Sequence, residues 1–280
     1  SVHDTALLSK LVSRADEIIH LAAIASPQAY VLNPKRTIDI NLNASISLIE
    51  LIRFTGKPIF FASTSEVYGR NPEVPWDEHS DRVLGSTHIN RWCYSTSKAM
   101  IEHYLYACSA DSSISFNGVR IFNCYGPRLK GRVVDNFIGN ALRGRKMLIH
   151  GDGRQTRCFT YVDDLIEAIL MLVLNQEKQN QFYNIGSSVE HTINDLASTI
   201  CHALDVDFAD SVEYINHESA IGSSYEDIPR RVPNCHKAEN ELKWKPQISL
   251  DQGIKMMIEF ERNQSISSPI SLSSSTDTDE

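Results

Sequence analysis

A chain of 280 residues, 42% apolar and 22% charged, is long enough to bury a sizeable core as one large or two small domains. A net charge of −8, with no basic stripe interleaved with aromatics, argues against nucleic acid as a partner, although an acidic whole can still hold an arginine cluster for a phosphate. The cysteines at 93, 108, 124, 158, 201 and 235 lack C-x-x-C spacing, and no run reaches the ~18 apolar residues of a membrane span, so a cytoplasmic protein with reduced thiols and no metal is expected.

Leu7, Leu8, Leu11 and Val12 recur at helical spacing, which predicts a helix over residues 1–14 lying on a sheet. Asp16 to Ala23 follows as a buried strand, and the small residues at its end let a flat ligand approach the backbone. His20 within it reads either as a ligand or as a satisfied core residue. Asn33 to Thr55 carries Ile40, Leu42, Ile46, Leu48, Ile49 and Leu51 in an amphipathic helical pattern. Pro58 to Ala62 is a short apolar run that empties into Ser63, Thr64, Ser65 and Glu66. That is the pattern of a buried parallel strand whose C-terminal end opens onto a site. Asn71 to Ile89 is a long loop with Pro72 and Pro75, either a lid or disordered. In the following stretch, Arg91 to Met100, Tyr94 and Lys98 are four residues apart, about one helical turn, and project from one face. A nearby ammonium favours the phenolate and lowers the tyrosine pKa, which suits Tyr94 to take a proton from a substrate hydroxyl. Any helix can carry such a pair, so the preceding strand end gives it weight.

Thr-Ser-Glu-Val-Tyr-Gly at 64–69, followed by Tyr-x-x-x-Lys at 94–98, resembles the extended short-chain dehydrogenase/reductases, the NAD-dependent nucleotide-sugar epimerases, dehydratases and decarboxylases. The resemblance implies a Rossmann-like doubly wound parallel α/β sheet with a smaller α/β substrate-binding region. It also implies a Gly-x-x-Gly-x-x-Gly turn for the dinucleotide pyrophosphate, which these 280 residues lack and which is expected ahead of Ser1 in an N-terminally truncated domain. The only glycine-dense piece, Gly151-Asp152-Gly153-Arg154, lacks that spacing. By the same resemblance Ala22, Ala23, Asn41 and Ser63 join Tyr94 and Lys98 around the cofactor, Asn41 being structural or cofactor-facing. Ala25 and Tyr30 border cofactor and sugar.

Further on, Ser115 to Arg128 reads as strand then turn and places Asn123 toward the nucleotide sugar. A helix opens near Gly131 to Phe137, and Gly151 to Asp164 resembles the segment that cups the nucleotide diphosphate. Arg132 and Arg157 suit that work because a guanidinium fork binds phosphate oxygens in pairs; without the resemblance they read as solvated. Leu165 to Asn175 continues as a helix, Gln181 to Gly186 as a strand, and His191 to Leu204 as a helix opening at Thr192. The expected organisation is residues 1–125 as the remainder of the NAD-binding domain and 126–262 as mainly a nucleotide-sugar-binding region, with the strand near 181–186 able to return to the sheet. Residues 263–280, rich in Ser, Thr and Asp, are expected to be disordered.

Ser65 stands where 4,6-dehydratases of the family carry an aspartic acid, and many 4-epimerases have no acid at the Glu66 position. Thr-Ser-Glu together with Arg91-Trp92, Tyr225 and Arg231 is most similar to the bacterial UDP-glucuronate decarboxylase domain of aminoarabinose synthesis on lipid A. The resemblance implies that Tyr94, aided by Lys98 and Thr64, starts an oxidation at C4 of the sugar by NAD. The 4-ketone then lets the C5 carboxylate leave as CO2, with Glu66 and Arg231 assisting. Thr64, Ser65, Arg91, Asn123, Arg132, Arg157 and Tyr225 contact the substrate, and a homodimer is implied. A nucleotide-sugar 4-epimerase, a dehydratase, a UDP-apiose/UDP-xylose synthase and an inactive truncated sugar-nucleotide-binding protein remain as alternatives.

Overall fold

The computed structural model describes residues 1–111, 114–174, 179–215, 228 and 230–267. In chain order the strands among them are β1 (Ile18–His20), β2 (Ile59–Thr64), β3 (Phe116–Ile121), β4 (Cys124–Tyr125), β5 (Met147–His150), β6 (Thr156–Cys158), β7 (Thr160–Tyr161), β8 (Gln181–Ile185), β9 (Glu190–Thr192) and β10 (Val212–Ile215). Four of them pair in parallel in the order β1-β2-β3-β8. The reason is visible in β2, where every residue is buried. Ile59 and Phe61 point into a layer with Leu48, Ile49, Ile101 and Leu105, whereas Phe60 points the other way, onto Leu165, Ala168 and Trp244. A strand covered on both faces is apolar throughout, and burying each phenylalanine fully stabilises the fold by roughly 1.5–3 kcal/mol. Within this sheet Gly118 lies opposite Phe61 and Phe182. A Cβ there would stand 2.3 Å from the Phe182 ring and 2.8 Å from the Phe61 carbonyl oxygen, so only glycine lets that ring cross the strand.

The α/β class expected from the sequence is what forms, with local differences. The first helix runs Thr5–Arg14, capped by Asp4, but buries only Val12 and leaves Leu7 and Leu11 exposed. The strand expected over 16–23 shrinks to the three residues of β1. The helical pattern of 33–55 is broken into Pro34–Ile38, a π-helical turn at Asp39–Asn43, and Ala44–Arg53; the wide turn carries Asn41 inward. The loop over Asn71 to Ile89, expected as a lid or as disordered, is instead anchored: Trp76 is fully buried and its backbone is bridged to Pro233. Residues 263–267, expected in a disordered tail, extend the Leu250–Ser267 helix, because adding a turn to a formed helix costs far less than starting one. The rest of that tail and Tyr225 lie outside the described residues.

A second apolar cluster gathers Phe137, Ile138, Met147, Ile149, Leu196 and Ile254, from the Val133–Leu142 helix, β5, the Ile193–Leu204 helix and the Leu250–Ser267 helix. Thr192 opens the third of these with a reciprocal cap to Asp195, as its sequence suggests. No helix among the described residues is long and apolar enough to cross a membrane.

Candidate active site

The C-terminal end of β2 is held against one face of the Trp92–Ala110 helix, residue by residue. Tyr94, Lys98 and Glu102 recur every four positions, so all three project toward the strand. Glu102 accepts a hydrogen bond from the Ser63 hydroxyl, Lys98 Nζ donates to the Ala62 carbonyl at 2.7 Å, and Tyr94 is hydrogen-bonded with Thr64. Tyr94 also stacks on Tyr30, with ring centroids 5.3 Å apart. Past Thr64, whose Oγ1 accepts from the Glu66 amide at 3.2 Å, the chain turns through a short 3-10 helix, Ser65–Tyr68. That turn aims Glu66 into a cavity of about 580 Å³, lined among others by Tyr30, Thr64, Tyr94, Arg132, Arg157 and Arg231.

The charge of the Tyr94/Lys98 pair differs from the sequence expectation. Burial pushes the Tyr94 phenol up to about 12 against the opposing hydrogen bond with Thr64. Burial also draws the Lys98 ammonium down to about 8, with Glu102 opposing. The ammonium is spent on the Ala62 carbonyl and the face of Phe61, 4.5 Å away, so proximity alone does not activate the phenol. His20 is a satisfied core residue: its Nε2 is 2.8 Å from Ser45 Oγ, and burial, with the Lys98 charge adding, lowers it to about 4.

Glu66 sits between two guanidiniums. Arg91, with no side-chain exposure, donates to Oε2 at 3.0 Å, and Arg231, 165 residues downstream, donates to Oε1 at 2.5 Å. Burial alone would raise this carboxyl, but Arg231 and Arg91, with Arg132 farther off, hold it below the ordinary carboxylate range. Arg132 donates to the Ala25 carbonyl at 2.6 Å, tying the Val133–Leu142 helix to the loop after β1. Asn123 lines the cavity at φ 36° and donates to the Cys158 carbonyl; Arg157 donates to the Thr156 carbonyl beside it. Ala25 and the buried Ser63 and Ser65 complete the expected residues on the cavity wall.

Other expected residues lie off it. Arg91 and Lys98 stand behind the wall. Asn41 is buried and commits both ends of its amide to the backbone of Ile24, at 2.8 Å each, so it shapes the loop after β1 instead of facing a ligand. Ala22 is exposed and Ala23 half-buried just past β1, where their methyl side chains leave the backbone nearly bare. That surface fits the nicotinamide end of a dinucleotide. Gly153 does not serve the other end, because a Cβ there would stand 2.2 Å from Asn194 Oδ1. Sequence reading passed over Glu102, although it lies one turn beyond Lys98. It also passed over Phe137, Asn140, His150 and Gln155 on the far wall. Helical spacing could have flagged Glu102; the others needed the fold.

Comparison with known proteins gives a consistent picture. The family described as GDP-mannose 4,6 dehydratase matches residues 1–257. The chain is 34% identical over 266 residues to UDP-N-acetyl-alpha-D-glucosaminuronate decarboxylase of Bacillus cytotoxicus, covering 94% of this chain and 81% of that protein. It is 33% identical over 269 residues to UDP-glucuronic acid decarboxylase 1 of Xenopus tropicalis, of which it spans 60%. Among solved structures, UDP-glucose 4-epimerase of Thermotoga maritima with UDP-glucose superposes with a TM-score of 0.84 at 28% identity, over 95% of this chain and 84% of that one.

Proposed function

The chain belongs to the GDP-mannose 4,6 dehydratase family of NAD-dependent nucleotide-sugar epimerases and dehydratases, and from that membership we propose that it oxidatively decarboxylates UDP-glucuronate or a close UDP-sugar acid. The carrying observation is Glu66, ion-paired with Arg91 and Arg231 on the wall of the cavity that also holds Thr64 and Tyr94. Two guanidiniums around one carboxylate leave local positive charge, which suits an acid group on the sugar. The names of the two curated relatives, both decarboxylases of UDP-sugar acids, support the same choice.

In this reading Thr64 and Tyr94 hold the C4 hydroxyl, and Tyr94 takes its proton with Lys98 as the neighbouring cation; a positioned base of this kind contributes about 10²–10⁴ in rate. A nicotinamide dinucleotide, held by Ala22, Ala23, Ser63, Tyr94 and Lys98, supplies the hydride acceptor when bound. With C4 a ketone, the C5 carboxylate is that of a β-keto acid. Its C–C bond breaks, CO2 leaves, and the electron pair passes to the ketone oxygen as an enolate. Arg231 stabilises that enolate and Glu66 orients the leaving carboxylate. Arg132 and Arg157, with Asn123, take the diphosphate and sugar, and Tyr225 belongs to the same set. The reading includes a cytoplasmic homodimer; all six cysteines are free thiols.

The test supplies NAD and UDP-glucuronate and measures CO2 and NADH for the wild type and Glu66→Ala. CO2 from the wild type alone is expected. Interconversion of UDP-glucose with its C4 epimer, without CO2 from UDP-glucuronate, would replace decarboxylation with epimerisation. Calorimetric binding without any turnover would favour a sugar-nucleotide-binding protein.

A further inference from the structure

Arg231 meets Glu66 from 165 residues downstream, so its position depends on how its own segment is held in the fold. Asn184 in β8 lies within hydrogen-bond reach of that segment. It is fully buried and lies opposite Arg120 in the β3/β8 register. Its Oδ1 accepts from the Tyr68 hydroxyl at 2.7 Å, its Nδ2 donates to the Trp76 carbonyl at 2.9 Å and to the Asn234 carbonyl at 3.4 Å, and its backbone amide donates to Glu78 Oε1 at 2.7 Å. The two carbonyls belong to segments that bridge each other: Trp76 N donates to the Val232 carbonyl at 2.9 Å and Asn234 N to the Trp76 carbonyl at 2.7 Å. Val232 directly follows Arg231. On its other side the network continues through Tyr68 to Arg120, which donates to the Tyr68 hydroxyl at 2.7 Å and pairs with Glu102 at 2.6 Å; Glu102 lies one helical turn from Lys98.

We propose that Asn184 is a positioning residue: its amide clasps the Trp76 and Asn234 segments together and thereby sets Arg231 against Glu66 and the sugar's acid group. The proposal rests on the reading of Arg231 as the cation that meets a carboxylate-bearing sugar. The chemistry of a saturated amide supports it. Each polar atom of the Asn184 side chain has a buried partner, and deleting the amide takes away the acceptor of the Tyr68 hydroxyl proton and loosens the backbone on both sides of the bridge. An asparagine that merely fills the core would lower stability on removal and leave ligand preference unchanged.

The experiment is a double-mutant cycle read by calorimetry, comparing UDP-glucuronate with UDP-glucose, which lacks the carboxylate. Arg231→Ala is expected to lower the preference for UDP-glucuronate about tenfold or more, the loss of a charged hydrogen bond. Asn184→Ala should lower the same ratio by a comparable factor, and the double variant should fall no further than Arg231→Ala alone. A lowered melting temperature with an unchanged ratio in Asn184→Ala overturns the proposal while leaving the functional reading intact. An unchanged ratio in Arg231→Ala overturns both. Should Asn184→Ala not fold, hydrogen exchange on the wild type decides: the Trp76 and Asn234 amides should exchange as slowly as those of β2, and rapid exchange at either overturns the clasp.

Discussion

In the folded protein the proton order of Tyr94 and Lys98 is reversed from that of the free side chains. The phenol is pushed to about 12 and the ammonium drawn to about 8. Two units on a phenol is a penalty of about 3 kcal/mol against the phenolate, and near neutral pH it leaves the base form in roughly one molecule in ten thousand or fewer. The cause is burial on both sides, by Tyr30 stacked on one ring face and by β2 behind. The assay compares phenolate ultraviolet absorbance of the wild type with that of Tyr94→Phe as pH is raised, and follows Lys98 by the shift of isotopically labelled lysine carbons, assigned with Lys98→Met. Lysine should titrate first, near 8, with no phenolate difference until well above it. A phenolate difference signal with a midpoint below about 9 would refute the argument that burial outweighs the neighbouring cation.

Three further outcomes follow from the packing. Glu66→Gln leaves Arg91 and Arg231 without their shared carboxylate and should destabilise the fold by about 3 kcal/mol, read as a lowered urea midpoint; an unchanged midpoint would show that the pair adds nothing. His20 stays neutral in the fold down to about 4, whereas an unfolded histidine takes a proton from about 6.5. The unfolded state therefore binds more protons in that window, and stability falls as pH drops through it, by up to about 3 kcal/mol; comparing the wild type with His20→Gln at neutral pH and near pH 4 isolates the slope. Gly118→Ala forces a methyl against the Phe182 ring and the Phe61 carbonyl and should cost about 1–3 kcal/mol, checked by urea unfolding, with full wild-type stability counting against the packing assignment.

What the sequence disclosed and what it hid divide along a physical line. Spacing on one element is local, so the Tyr94/Lys98 face, the β2 strand end and the Thr192 cap were legible from periodicity and residue type. Burial is a property of the assembled fold, and it reversed the expectation for Tyr94. Asn41 was ambiguous because one asparagine serves a backbone clamp as readily as a ligand, and the π-helical turn that decided the matter leaves no mark in a helical pattern. The loop over 71–89 read as a lid or as disordered because its anchors, Val232 and Asn234, are some 160 residues away in the chain and meet it only in the fold.

The Glu66 cluster gains its meaning from that same long-range closure. A lone buried carboxylate would take up a proton, and a lone buried guanidinium would cost several kcal/mol. Together, Arg91, Glu66 and Arg231 keep their charges although all three side chains are largely buried. Such pairs roughly break even against desolvation, so exchanging one partner for an anionic ligand group costs little. In the proposed reading Arg231 would exchange Glu66 for a sugar carboxylate, and Arg132 the Ala25 carbonyl for a phosphate, one partner for another. On that reading an acidic chain keeps cations where an anionic sugar nucleotide would dock, and the proposed clasp at Asn184 holds the farthest of them in register.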